Sequence, residues 1–265
     1  MVMWLTGMFA LGLIAGSVLN CVIWRLPVMV NRQLAPADTI PQDGLPARFN
    51  LFLPRSCCPR CHHTIAFYDN IPLISWVLLR GRCRRCARRI SWRYPLVELA
   101  TALCTEWVAF AWPPGLQALM LALCCWLLIA LACIDLEHML LPDVLTLSLL
   151  WLGLLANLQG NIVPLADAVI GAMAGWLALW GVYQVFLLFT GREGLGYGDF
   201  KLLAALGAWC GWQALPALLL CASISGLVWM GGLRLAGRIQ RAQAFPFGPS
   251  LALAGWWFIA APGVG

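Results

Sequence analysis

Eleven acidic residues are scattered through this 265-residue chain, and two of them sit where a charge is costly. Asp135 lies near the end of one apolar stretch, in Ala132-Cys133-Ile134-Asp135-Leu136-Glu137-His138. Asp199 follows another, in Gly194-Leu195-Gly196-Tyr197-Gly198-Asp199-Phe200-Lys201. Two apposed carboxylates do not ionise together easily, so one keeps its proton while the other acts as a base on water. That chemistry hydrolyses a peptide bond without a nucleophilic side chain. The glycines before Asp199 let backbone approach closely, from a substrate strand or a neighbouring helix. A lone GxGD is a weak signal, because glycines and an acid at a helix entrance also make an ordinary N-cap. Asp143, between Pro142 and an apolar run, reads as such a cap. Glu137 and His138 read as solvated loop residues, with His138 placed to tune the acid pair. Glu98 and Glu106 stay open between bundle packing and a second site.

A second constellation is sulfur. Cys58-Pro59-Arg60-Cys61 and Cys83-Arg84-Arg85-Cys86 are two CxxC pairs separated by twenty-one residues, which is metal-site spacing. Each tight turn presents two thiolates, and two turns complete a tetrahedral cage. The turns also resemble one another, Cys58 to Ile65 against Cys83 to Ile90, so a duplicated knuckle holding structural zinc is expected. Cys57 is an alternative to Cys58, and His62 or His63 to a cysteine. An Fe–S cluster lacks its closer spacing of three cysteines, and a disulfide does not suit a reducing compartment. A four-ligand site leaves zinc no open position, so the metal holds the loop and does no chemistry. The other cysteines, at 21, 104, 124, 125, 133, 210 and 221, read as small apolar residues.

The elements that must position these groups are membrane helices. The chain is 62% hydrophobic and 11% charged, with mean hydropathy +0.82, far from soluble composition. Eight apolar stretches are expected as spans, at 4–24, 96–112, 116–134, 144–158, 168–189, 201–215, 217–233 and 250–262. Met1–Leu19 lacks a basic n-region and reads as a span rather than a signal peptide. With 25–95 in the cytoplasm, all seventeen Lys and Arg fall on that side, twelve of them within 25–95. Both termini are then outside. The expectation is an all-α polytopic membrane protein divided into a first helix (1–24), a cytoplasmic four-cysteine zinc-binding domain (25–95) and a membrane peptidase domain (96–265). Two crossings separate Asp135 from Asp199, so both meet the cytoplasmic edge. The net charge of +6 reflects this topology and calls for no nucleic-acid partner.

Several ordered segments resemble the prepilin peptidase (type IV leader peptidase) family. They are Gly16 to Pro27, the two CxxC pairs, Tyr68-Asp-Asn-Ile-Pro-Leu-Ile-Ser-Trp76, Arg93-Tyr-Pro-Leu-Val-Glu98, Ile134-Asp-Leu with Leu141-Pro-Asp143, Gly196-Tyr-Gly-Asp-Phe-Lys201 and Phe245-Pro-Phe-Gly-Pro249. The resemblance covers almost the whole chain, and 28–56 resembles the family least. It implies a multi-pass enzyme of the bacterial inner membrane with two activities. The first cleaves the basic leader from type IV prepilins or type II secretion pseudopilins. The second transfers a methyl group from S-adenosylmethionine to the new N-terminal amine. The family's catalytic acids fall on Asp135 and Asp199, and its cysteine quartet on Cys58, Cys61, Cys83 and Cys86.

The residues agree with that reading. A basic leader stays in the cytoplasm while an apolar stem enters lipid, which brings the scissile bond to the acids. A helical stem hides its amides, so cleavage needs a locally extended segment. The basic loop 80–93 suits anionic lipid head groups better than a basic leader. No glycine-rich strand-turn-helix marks a methyl-donor site, and 25–95 is the expected place for it. The competing class is a non-enzymatic membrane module, with a zinc docking loop and proton-carrying acids. A zinc protease is disfavoured by the closed cysteine set and the lack of HExxH.

Overall fold

The computed structural model describes residues 1–34, 45–46, 48–58, 61, 63–160, 162–191, 194, 196–237 and 245–260. His62, Leu195 and the basic residues Arg60, Arg192, Arg238 and Arg241 lie outside this set. The described residues form helices and loops, with two isolated bridges and no strand. In order they are α1 (Val2–Leu34), a 3₁₀ turn (Phe67–Asn70), α2 (Ile74–Leu78), α3 (Arg93–Ala111), α4 (Leu116–His138), α5 (Asp143–Ala156), α6 (Leu165–Thr190), α7 (Tyr197–Cys210), α8 (Leu215–Leu235) and α9 (Gly248–Ala260).

Every helix except the short α2 falls on an expected apolar stretch, but only α1, α4, α6 and α8 are long and apolar enough to cross a membrane. The chain is therefore a multi-pass membrane protein, and the eight crossings expected from sequence are not established. At about 1.5 Å per residue, the 14 residues of α5 and α7 and the 13 of α9 fall short of a hydrocarbon core about 30 Å thick. For α7 the apolarity has a different cause. Along α7 every residue from Leu202 to Cys210 is buried inside the protein, so it is hydrophobic all round because helices surround it. α3 has 19 residues but carries Arg93, Glu98 and Glu106.

The chain divides into two compact units, Met1–Pro114 and Gly115–Gly265. In the first, α1 runs through Pro27 to Leu34, well past the expected end at 24. Arg25, expected to begin a loop, is thus a buried helical residue. Its guanidinium donates to the carbonyls of Asn50 (2.8 Å) and Pro54 (2.6 Å), which compensate the desolvated charge. α1 and α3 pack antiparallel at backbone contact. A Cβ on Gly12 would stand 2.6 Å from Ala102 Cα, and one on Gly16 would stand 2.6 Å from Glu98 Cα. This is the close approach that small-xxx-small pairs allow between membrane helices.

The second unit is built around α7. Gly171 and Gly175 of α6 lie against Gly207 and Leu203 backbone, again at a spacing of four. On the other side, Trp209 Nε1 donates to Leu149 O (2.9 Å), its indole covering Gly153 of α5. Asn157, fully buried, donates to Ala208 O (3.0 Å) and accepts from the amides of Ile162 and Val163. A buried amide so satisfied fixes the depth of α5 against α7. Gly171→Leu would drive a side chain into a backbone carbonyl that cannot rotate away, whereas Gly181 of the same helix has nothing within 4 Å of its would-be Cβ. Gly171→Leu is expected to destabilise by about 1–3 kcal/mol or more, read as earlier thermal unfolding in detergent, with Gly181→Leu close to wild type.

Candidate active site and metal centre

Asp135 belongs to the last turn of α4, which ends as Met139 adopts a left-handed conformation and donates to Asp135 O (2.9 Å). Asp199 is the third residue of α7, entered from Gly196, whose carbonyl accepts the Asp199 amide (3.1 Å). Both are buried, Asp135 at 6% exposure and Asp199 at 8%, and Asp135 lies close enough for its charge to bear on Asp199. The structure thus brings together the two acids singled out in the sequence. A buried acid pair in an apolar unit is a high-energy arrangement, and it persists because each carboxylate has local support. For Asp199 the support is its own helix, since three residues into α7 it meets the positive end of the helix dipole.

For Asp135 the support comes from a distant residue. Gly248 opens α9, and its amide donates to Asp135 Oδ2 at 2.9 Å across 113 residues of sequence. A Cβ here would lie 2.6 Å from that oxygen, so a glycine alone lets the helix end reach the acid. The run Phe245 to Pro249 contributes to the family resemblance, but its residue types alone assign it no role. The available signal was Gly-Pro at a helix start, where proline is favoured and an orphan amide precedes it.

The glycines of the GxGD run divide their work. A Cβ on Gly198 would lie 2.7 Å from Leu141 Cβ, so this glycine seats α7 against the segment joining α4 to α5. Gly196 has only the Asp199 carboxylate nearby, 3.6 Å from its would-be Cβ. Beside Asp199, Tyr183 of α6 packs with Tyr197 and Phe200 at ring-centroid distances of 5.5 and 5.7 Å. Tyr183 was not singled out from sequence, where it looks like one more aromatic in a span.

Asp143 does not cap α5 as expected. Pro142 holds the N-cap position, and the Asp143 carboxylate instead accepts from Lys201 Nζ (2.6 Å), linking α5 to α7 close to Asp199 in sequence. The cause is proximity, because the packing of α5 on α7 brings the lysine within reach. Glu137 and His138 are the exposed end of α4 rather than a loop, 4.0 Å apart. Glu106 is half-buried on α3. Glu98 is buried, and its Oε2 accepts the Leu73 amide (2.8 Å).

In the first unit, the Sγ atoms of Cys58, Cys61, Cys83 and Cys86 lie within 4.8 Å of one another, and those of Cys58 and Cys86 are 3.8 Å apart. Four sulfurs placed about 2.3 Å from one tetrahedral ion would be separated by about 3.8 Å, so the cluster could hold such an ion. Cys57 is outside the cluster. His63 faces Arg85, with Nδ1 2.8 Å from the guanidinium.

The two turns repeat one backbone design. The amide of Cys58 donates to His63 O and that of Cys83 to Arg88 O; Ile65 donates to Ser56 O and Ile90 to Gly81 O. Bridges join Cys57 to Thr64 and Arg82 to Arg89. Asp69 clamps the second knuckle through Arg84 (2.6–3.1 Å), and this hydrogen bonding holds the Asp69 carboxyl below the usual carboxylate range.

The Asp143–Lys201 pair is exposed, and exposed pairs contribute little. A double-mutant cycle with Asp143→Asn and Lys201→Met, read by thermal unfolding in detergent, is expected to give a coupling of about 0.2–1 kcal/mol.

Residues 10–112 match the model of the bacterial peptidase A24 N-terminal domain, and residues 122–231 match that of the type IV leader peptidase family. Proteins named prepilin leader peptidase/N-methyltransferase are similar over nearly the whole chain. The one from Aeromonas salmonicida (strain A449) is 56% identical over 94% of this chain and 87% of its own length. That of Stutzerimonas stutzeri is 52% identical over 93% and 86% respectively. That of Pseudomonas aeruginosa is 49% identical over the same shares, 93% and 86%. No solved structure matches the chain. Both family models and the near full-length identity lead to one conclusion: the chain belongs to the type IV leader peptidase family.

Proposed function

We propose that this chain is an inner-membrane aspartic endopeptidase that removes the basic leader of type IV prepilins or type II secretion pseudopilins. It then N-methylates the exposed residue with S-adenosylmethionine as donor. The observation that carries the peptidase reading is the buried pair Asp135 and Asp199, one anchored by the Gly248 amide and the other at the N-terminus of α7. The relatives' names support both activities.

In the proposed reaction one carboxylate takes a proton from water while its protonated partner hydrogen-bonds the scissile carbonyl oxygen. Water attacks the carbonyl carbon, and the resulting tetrahedral species collapses as the leaving amine receives a proton from the pair. The proton belongs to the dyad as a unit. The donor from Gly248 fixes one oxygen of Asp135, which limits the orientations the pair can take and lowers the cost of positioning. The apolar setting is also suited to a substrate whose stem lies in lipid. Its leader and the active site are assigned to the cytoplasmic side and both termini to the periplasmic side, because the Lys and Arg residues then all fall inside.

We assign the metal cluster to structural zinc held by Cys58, Cys61, Cys83 and Cys86. Four thiolates would close its coordination, so zinc would staple two knuckles that have little apolar core of their own. The exposed arginines around them suit anionic lipid head groups.

Cleavage of a prepilin substrate by purified enzyme in detergent is expected to fall about 10²–10⁴-fold with Asp135→Asn or Asp199→Asn, the usual worth of a general acid or base. Gly248→Ala is expected to cost on the order of 10²-fold by displacing Asp135 about 1 Å, with the chain still folded. Full activity in either aspartate variant would sink the aspartic mechanism. Metal analysis is expected to find about one zinc per chain, lost in the Cys58→Ser, Cys83→Ser double variant together with protease resistance of 55–92, while some cleavage persists. Strict dependence of hydrolysis on the ion in a folded protein would instead make the metal catalytic.

A further inference from the structure

The first unit contains a cavity of about 650 Å³ beside the cysteine knuckles, floored by α2 and the start of α3. Its volume lies within the range of roughly 300–1,000 Å³ that small-molecule sites occupy. Three kinds of surface meet in it. Tyr68, Trp76 and Tyr94 supply aromatic faces, Asp69 and Glu98 supply carboxylates, and the second knuckle supplies guanidinium groups, including those of Arg88 and Arg89.

We propose that this cavity is the binding site for S-adenosylmethionine, with Glu98 as its buried acidic anchor; the proposal rests on the methyltransferase half of the function above. The donor is an unusual molecule. It joins a flat adenine, a ribose with two hydroxyls, a sulfonium cation and an amino acid end bearing both charges. Few sites suit all four parts, and a mixed lining does. Aromatic faces favour the adenine and a sulfonium. Carboxylates accept from ribose hydroxyls and the ammonium group, and guanidinium groups pair with the carboxylate end. A basic leader would be repelled by the arginines. A phosphate ligand would be repelled by the two acids.

Three features of the lining set it apart from a packing gap. Glu98 is 8% exposed and its carboxylate is held by two protein groups, one of them the Ser17 side chain, which makes it a fixed acid on the cavity wall. Its Oε2 is held by the amide of Leu73, a residue forced to φ 57°, and positive φ at a bulky side chain marks a backbone constrained by its surroundings. Trp76 lies under the positive-φ Gly81, where a Cβ would stand 2.8 Å from its ring, so the second knuckle fixes this aromatic wall. These observations also give buried Glu98 a purpose that neither peptide hydrolysis nor metal binding uses.

The test uses the purified full-length enzyme in detergent, with calorimetric titration of S-adenosylhomocysteine as the binding readout and prepilin cleavage measured beside it. Glu98→Gln keeps the shape and one hydrogen-bond acceptor of the side chain, and Tyr68→Ala removes an exposed ring whose loss does not threaten folding. Both are expected to weaken binding at least about tenfold while cleavage stays within about twofold of wild type. Wild-type affinity in both variants, with methylation intact, would overturn the cavity and leave the methyltransferase reading standing. A wild-type enzyme that cleaves but neither binds the probe nor methylates would overturn that reading, and the cavity assignment with it. Should Glu98→Gln lose cleavage as well, the Tyr68→Ala titration decides, since a normal affinity there removes the aromatic wall from the site.

Discussion

A carboxylate inside an apolar helical unit must find a donor from the protein, and for Asp135 that donor is the Gly248 amide at the start of α9. Much of the second unit follows from this one hydrogen bond. An orphan amide at a helix N-terminus is available because no preceding turn uses it. It can reach the acid only if no Cβ intervenes, and α9 must be short and buried to end at that depth. The partner acid faces the same constraint and meets it through its own helix. Asp199 sits in the first turn of α7, where the dipole favours a negative group.

Holding these two helix ends in register requires helices that pack closely and do not slide. In a membrane, burial of apolar surface gives little preference for protein over lipid, so contact between small residues and buried polar locks carry the specificity. Gly171 and Gly175 bring α6 onto the α7 backbone, while Trp209 and Asn157 bond the backbones of their neighbours and fix α5. Tyr183, Tyr197 and Phe200 pack on one another where α6 meets the start of α7. The first unit repeats the device with Gly12 and Gly16, and it adds a domain that owes its order to paired turns. Helix packing thus sets the acids, while sulfur spacing sets the knuckles and the cavity they border.

Much of this was legible in the residues. Apolar stretches located every long helix, CxxC spacing located four converging thiols, and the repeated turn was visible in the likeness of 58–65 to 83–90. Asp135 and Asp199 stood out because acids are rare at the ends of apolar runs. Other features were not legible, and each for a reason of geometry. The lengths of α7 and α9 look like short spans in a sequence, because a buried helix and a lipid-facing helix are equally apolar. Arg25 looked like a loop residue, because a guanidinium is normally solvated; the carbonyls of Asn50 and Pro54 that permit its burial arrive from 25 and 29 residues away. Asp143 looked like a cap, because its partner Lys201 lies 58 residues further on.

By itself, then, the sequence determined which residue types were present, where helices form and which thiols share a turn, since these depend on short spacings along the chain. Only the tertiary structure decided what faces each acid. It paired Asp135 with the amide of Gly248, turned Asp143 towards Lys201, and gathered Tyr68, Trp76, Tyr94 and Glu98 around one cavity. Hydrogen bonds and cavities depend on distances of a few ångströms between residues far apart in the chain. Those distances are set by packing, and local pattern carries no record of them.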